Sequence, residues 1–411
     1  MVRFDIAVIG AGPSGVMAAI RAAYRGMKVV IFETNPILGR KLALTGNGRC
    51  NLTNNADIDS FIGKFPKSGL FLRNAFSAFS NYDLIGFFKN HGLDVKSEDQ
   101  GKVFAFDDNA FSVVAALKAA LLESGAVIKY STRIDRVVLS EKKFEIITQS
   151  GLRFFADKVV LATGGLAYPQ TGSCGDGYRI ARQLGHTVIK PLPALVPLKV
   201  KENWVKSLKG LSLSAVSVYI PVISKKAFFF GDIIFTDYGV SGPLIIDLSR
   251  DIVDFIQDQN TINIFIDLKP DITKSELESI FLKFYQTKGK MIIKNALSDF
   301  LPKRFADLVI DLLQIPRETL VSQISKIQRK GLIGMIKSLP LTVFGTLPFE
   351  NAMVTKGGVL SREINPRNMQ SKKVNGLFFA GEIIDGAACC GGYNLQKAFS
   401  TGYLAGEGAS Q

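Results

Sequence analysis

Three glycines and one acid carry the first chemical signal in this chain. Gly10, Gly12 and Gly15 stand as G-x-G-x-x-G within IAVIGAGPSG, and Glu33 ends the later run KVVIFE. The first glycine permits a tight turn, the second lets backbone approach a pyrophosphate, and the third lets a helix pack closely on a strand. A helix starting here presents unpaired N–H groups and its positive dipole end to phosphates, with Pro13 and Ser14 in its first turn. A carboxylate at Glu33, with Thr34 beside it, accepts hydrogen bonds from a ribose diol and repels a 2′-phosphate. The expected chemistry is the holding of an adenine dinucleotide other than NADP.

The elements needed to position these groups follow in order. Asp5 to Ile9 is a short apolar run suited to a buried parallel strand. VMAAIRAAYRG has helical spacing and closes at Gly26, and KVVIFE supplies the next strand. Strand, turn, helix, strand and acid within ~30 residues form a specific context for the glycine motif.

The far end of the chain decides between NAD and FAD. VNGLFFAG (374–381) reads as a turn and a strand, followed by Glu382, Ile383, Ile384 and Asp385. GAACCGGYNLQKAFSTGYLAG then gives a second glycine-rich helix start at Gly391–Gly392. An NAD enzyme has no need of it. In an FAD enzyme the flavin lies far from the adenine, and a second helix N-terminus can stabilise negative charge on the reduced ring. VVLATGG (Val159–Gly165), with Ala162, Thr163 and Gly164, reads as a strand entering a small-residue turn. STRIDRVVLS, KKFEIITQ and LRFFADKVV before it alternate like a three-stranded meander, with Ile134 in its first strand.

Composition sets the remaining bounds. The chain has 411 residues, 47% apolar and 21% charged, enough for two or three domains and unlike a disordered chain. No stretch reaches the ~18 uncharged apolar residues of a membrane span. Val2 and Phe4 already belong to an apolar run, so no signal peptide is expected and the localisation read from sequence is cytoplasmic. The four cysteines show no CxxC spacing, and two histidines do not make a histidine-rich metal site, so no metal is expected. Fifty basic against 36 acidic residues give a net charge of +14. The basic residues are scattered, and the densest clusters, Lys225–Lys226 and Lys372–Lys373, are only pairs. A solvated basic surface is therefore expected rather than a nucleic-acid footprint.

The three dinucleotide segments resemble the glutathione-reductase-like FAD superfamily. Within it, GRKLALTGNGRCNLTN (Gly39–Asn54), FTDYGVSGP (Phe235–Pro243), VTKGGV (Val354–Val359) and GGYNLQKAFSTGYLAG (Gly391–Gly406) resemble the BaiN-like, or aminoacetone-oxidase-like, bacterial flavoproteins. The resemblance spans nearly the whole chain. It implies an α/β fold: a discontinuous Rossmann-like FAD-binding domain with an inserted β-barrel plus helical domain, and tightly bound FAD. One departure is Gly-Ala-Ala-Cys-Cys before GGYN, where the family usually has Asp-x-x-Gly followed by threonine or a similar residue. FAD binding is expected to be little affected by it, and the substrate to differ.

The expected boundaries are 1–190 and 350–411 for the FAD domain, 191–270 for a barrel-like insert and 271–349 for a helical segment. Lys190–Leu198, KPLPALVPL, reads as an extended linker; LSLSAVSVYIPV, AFFFGDIIFTD and TINIFIDL read as strands. SELESIFLKFYQ, FADLVIDLLQ, LVSQISKIQ and LIGMIKSL read as helices. Residues from about Asp57 to Asn109 form a separate excursion.

The resemblance places Arg49–Asn51 and Glu382, and the residues themselves suggest the other roles. Arg49, Cys50 and Asn51 fall close to the isoalloxazine, although a structural salt bridge is an equal reading for Arg49. Glu382 takes the place of a ribitol-binding aspartate, with Gly381 before it and Asp385 as the other candidate. Arg40 and Lys41 can reach the pyrophosphate or the flavin. Tyr393, Asn394 and Gln396 can touch the flavin edge, with helix packing the equal reading for Tyr393. Asp237 and Tyr238 are candidates for proton transfer to a substrate, and Tyr393 is counted with them as catalytic. His91 and His186 are read as helix-end structure. Cys389–Cys390 are read as small turn residues, since adjacent cysteines form only a strained ring.

The functional expectation is an FAD-dependent oxidoreductase passing hydride through flavin N5, with NAD(P)H as a transient reductant and a small-molecule acceptor. The alternatives are an oxidase of a small amine using O₂ and a flavin-binding module without turnover. No second G-x-G-x-x-G follows a strand, so NAD(P)H has no dedicated domain. Oligomeric state is left open.

Overall fold

The run from Arg3 to Ile9 forms the opening strand, paired in parallel with Val29–Phe32 on one side and Arg153–Leu161 on the other. The computed structural model describes residues 3–66, 68–140, 143–224 and 227–411; Val2 and the Lys225–Lys226 pair lie outside the described residues. Two compact units are present, Met1–Ala194 with Pro348–Gln411, and Leu195–Leu347.

In the first unit, Arg153–Leu161 does double duty. Its first half closes an antiparallel meander with Ile134–Ser140 and Lys143–Thr148. Its second half takes the closing strand Leu377–Phe379 in parallel register, Val159 beside Leu377 and Leu161 beside Phe379. The opening strand and closing strand thus flank the same strand end. The opening helix (Pro13–Tyr24) and closing helix (Tyr393–Ala409) meet backbone to backbone at two glycines, where a Cβ on Gly402 would overlap Ser14 O and one on Gly406 would overlap Ala18 O, and Arg21 pairs with Glu407 across the same seam. That contact, with Phe79 of the excursion on another side, leaves most of the closing helix buried. The excursion holds helices Ile58–Gly63, Gly69–Ala78 and Asn81–Asn90, and its strands Val95–Ser97 and Lys102–Ala105 form a small sheet with Thr53–Asn54 just before it.

The expected linker at Lys190–Leu198 is mostly a strand. Val188–Ala194 pairs antiparallel with Val354–Val359, and the register slips between Ile189 and Leu192, which accommodates Pro191 at an irregularity.

The second unit is a closed barrel, ordered Leu198–Val200, Gly239–Ser241, Phe228–Phe235, Ser212–Tyr219, Ile262–Asp267 and Leu339–Thr346. Two features differ from expectation. Pro243–Gln259 is a 17-residue helix inside the half expected to be strands; Leu244, Leu248, Ile252 and Ile256, four apart, make one buried stripe along it. The strand closing the barrel, Leu339–Thr346, comes after the helices Lys274–Lys288, Lys303–Leu312 and Lys326–Lys337, beyond the stretch assigned to the barrel. LVSQISKIQ is not one helix: a short turn, Val321–Gln323, precedes Ser325, whose hydroxyl caps Lys326–Lys337 at the Gln328 N–H.

Candidate cofactor site

The opening turn is closed on one side and open on the other. Gly10 takes φ +103°, and a Cβ there would meet Ala162 O at 2.5 Å; one on Gly15 would overlap Gly10 O. Gly12 has ordinary φ and ψ of −78° and 179°, and a Cβ there meets nothing within 4 Å. The helix start beneath that space has Pro13 in its first turn, no side-chain cap and no acid. Its first N–H groups lack helical partners and can bind an anion.

Glu33 is buried beside this turn. Its Oε2 accepts from Ala11 N–H (2.8 Å), and Oε1 accepts from Asn35 N–H (2.8 Å) and Asn35 Nδ2 (2.7 Å). Asn35, which the sequence did not single out, also donates to Thr171 O (2.8 Å) and accepts from Arg40 Nη1 (3.1 Å). Arg40 is thereby turned to Asn35, and Thr34 is exposed.

The crossing turn brings two orphaned hydroxyls. Ala162 N–H bonds Ile9 O (2.9 Å), and Thr163 and Gly164 follow. Thr163 Oγ1 and Tyr178 OH are buried without a hydrogen-bond partner among the described residues. Tyr178 lies on Asp176–Gln183; burial first, then the carboxylates of Glu382 and Asp385, push its phenol upward, so it stays protonated. Ile134 is a core residue at the start of its strand.

The closing turn is held by side chains. Gly381 N–H donates to Thr401 Oγ1 (2.8 Å). Glu382 Oε1 accepts from Thr355 N–H (2.7 Å) and Oε2 from Lys41 Nζ (2.7 Å), so Lys41 is spent on Glu382. Gly391 and Gly392 take φ +125° and +88°, and a Cβ on Gly392 would overlap Thr53 O. With its amide oriented to satisfy both ends, Asn51 accepts from Gly392 N–H (3.0 Å) and donates to Thr53 O (2.9 Å) and Val103 O (3.2 Å). Asn394 clasps the preceding loop, accepting from Ala388 N–H (2.9 Å) and donating to Ala388 O (3.0 Å). The closing helix, like the opening one, has neither a side-chain cap nor an acid in its first turn.

Several expected contacts have other occupations. Gln396 is buried, with its amide nitrogen donating to Phe79 O (3.2 Å) and Ser400 Oγ (2.9 Å) and its oxygen accepting from Thr53 Oγ1 (2.6 Å); it ties the helix to the excursion. Tyr393 lies edge-on to Phe61 at 5.0 Å in a cluster with Phe65, Leu72 and Phe76, which is the packing alternative. Arg49 likewise takes its structural alternative: it pairs with Glu98 and with Asp108 Oδ1 (2.9 Å from Nε) and lies over Phe104 at 4.2 Å. Cys50 is fully buried, and burial pushes its thiol up to about 12, so it is no nucleophile near neutral pH. Asp237 and Tyr238 belong to the other unit. Asp237 is on the surface, where the hydrogen bond from Lys209 Nζ (2.9 Å) holds it below the usual carboxylate range; it cannot serve as a proton donor near neutral pH. His186 is buried between Ser371 Oγ (2.9 Å) and Glu363 Oε2 (3.2 Å), a structural setting.

One buried cation was missed. Lys397 is 2% exposed and donates from Nζ to Ile384 O (2.7 Å) and Gly386 O (2.5 Å). Tyr393, Lys397 and Thr401 are four apart, a spacing that puts the lysine on an inward stripe.

The family model described as "HI0933-like protein Rossmann domain" matches residues 4–408. This chain belongs to the HI0933-like family. It is 35% identical over 409 residues, 99% of both chains, to the 3-dehydro-bile acid delta(4,6)-reductase of Clostridium scindens. It is 31% identical over 402 residues, 96% of both, to the ribosomal RNA dihydrouridine synthase of Haemophilus influenzae. Among solved structures, the 3-ketosteroid delta1-dehydrogenase of Sterolibacterium denitrificans is similar in fold, with a TM-score of 0.55 at 11% identity, covering all of both chains. The HI0933-like chain is thus an oxidoreductase of an FAD-binding Rossmann family. The site fits that group on its own features: the open space over Gly12 at an uncapped helix start, and the unpartnered hydroxyls of Thr163 and Tyr178. No helix among the described residues is long and apolar enough to cross a membrane, and none of their His, Cys, Asp and Glu form a metal-binding group.

Proposed function

We propose that this chain is an NAD(P)H-driven, FAD-dependent reductase, acting in the cytoplasm, that saturates a carbon–carbon double bond conjugated to a carbonyl in a small organic acceptor. The observation that carries the reading is the pair of uncapped, acid-free helix starts, one at Gly12 and one at Gly392, on strands flanking a single strand end. FAD, when bound, supplies hydride transfer at its N5. The opening turn holds the pyrophosphate through backbone N–H groups, and Glu33, prealigned by Ala11 and Asn35, takes the ribose diol. Glu382 and Asp385 take the ribitol hydroxyls, and the closing helix start turns its positive end to the far side of the cofactor.

Saturation of a double bond is the chemistry common to the names of the two relatives, and it supports the acceptor class. One of those names is that of a ribosomal RNA dihydrouridine synthase, which makes a uridine in RNA the second acceptor to try.

Anaerobic mixing tests the reading. NADH or NADPH should bleach the ~450 nm flavin band, and an unsaturated ketone or a uridine-containing RNA should restore it. Bleaching only by a small amine, with recovery in O₂, would replace this reading with that of an amine oxidase.

A further inference from the structure

We propose that Lys397 is a positioning residue of the FAD site: its ammonium group holds the carbonyls of Ile384 and Gly386, fixes Asp385 between them, and places positive charge beneath the turn entering the closing helix. The inference rests on the proposed FAD-dependent reading.

A buried ammonium is costly unless paired or hydrogen-bonded. Here both fitted acceptors are carbonyls of one short turn. The rest of that turn is tied by Asp385 N–H to Val359 O (3.0 Å). A methionine would fill the same space, so packing alone does not call for lysine. The charges around it come from several elements. Asp385 and Glu382 on the turn attract it, and Lys41 compensates Glu382 from the other side. Tyr178, on Asp176–Gln183, senses both acids and Arg182, and stays neutral. From the excursion, the Ser68 hydroxyl lies where a Cβ on Gly386 would fall and carries no charge.

Desolvation outweighs Asp385 and Glu382, and brings the Lys397 ammonium down to about 8. The opening helix start adjoins the turn that Lys397 holds, since a Cβ on Gly381 would overlap Ser14 Oγ, so the pyrophosphate of FAD bound there brings negative charge to the same neighbourhood and favours the protonated form. Below that value, free and loaded proteins both carry the proton, and affinity is level. Above it the free protein has lost the proton and must regain it to bind, so affinity falls by up to about tenfold per pH unit.

The test titrates FAD into full-length protein from about pH 6.5 to about pH 9.5, for wild type, Lys397→Met and Lys397→Arg, with thermal unfolding alongside. Wild-type Kd should hold to about pH 8 and then weaken about tenfold or more. Lys397→Met should bind at least about tenfold more weakly at neutral pH, without that slope. Lys397→Arg, which keeps its charge, should show a level profile whatever its affinity. A level wild-type profile, or Lys397→Met with the wild-type Kd and slope, overturns the inference. If Lys397→Met does not fold, the wild-type and Arg profiles decide. Wild type that binds no FAD at any pH overturns the functional reading itself; wild type that binds with a level profile overturns this inference alone.

Discussion

The two helix starts of the Rossmann-like unit are built by different means. At the opening turn nearly everything is backbone: Gly10 and Gly15 are pressed against Ala162 and each other's chain, Gly12 faces open space, and Glu33 is aligned by neighbouring N–H groups. At the closing turn the glycines are crowded by distant chain. Thr53 O occupies the space beside Gly392, Asn51 takes its N–H, Asn394 clasps Ala388, and Lys397 lies beneath. The first arrangement is built mostly from residues near in sequence, with Ala162 and Thr171 as its distant neighbours; the second needs Asn51 and Thr53 to meet Gly392 across more than 300 positions. At Gly12, function is therefore separable from folding; at Gly392 it is not.

That contrast breaks first at Gly392. Gly392→Ala adds left-handed strain at φ +88° and an overlap with Thr53 O, with an expected loss of about 3 kcal/mol or more and of FAD together. A variant that melts like wild type would remove the distinction. Glu33→Ala comes next. It leaves the Ala11 and Asn35 N–H groups without their acceptor, and should lower stability by about 2 kcal/mol while weakening FAD retention after dialysis. Unchanged occupancy would count against the ribose contact.

The same contrast explains what could be read from the sequence. G-x-G-x-x-G with Glu33, the strand into Thr163, and the glycine-started closing helix were legible because each is a local pattern. The partners of Gln396 and Tyr393, Phe79 and Phe61, were not legible, because they lie in an excursion whose docking no local spacing reveals. Lys397 was passed over because lysine on an amphipathic helix ordinarily points to water, and here Gly402 and Gly406 draw the whole helix inward. The helix Pro243–Gln259 did have a signal: Gly-Pro at its start and an apolar residue every fourth position. The barrel's final strand had none, since Leu339–Thr346 pairs with Ile262–Asp267 across an intervening helical stretch.

The smallest structural change gives the most direct test. Gly12→Ala places a methyl in the space over the opening helix start, with a permitted φ of −78° and no atom within 4 Å. Equilibrium dialysis against FAD, read at the ~450 nm band, is the measurement. Wild type should hold about one FAD per chain, and Gly12→Ala should bind roughly tenfold to a hundredfold more weakly while melting within about 1 kcal/mol of wild type. Wild type that stays colourless, or Gly12→Ala that binds FAD as tightly as wild type, would contradict the account.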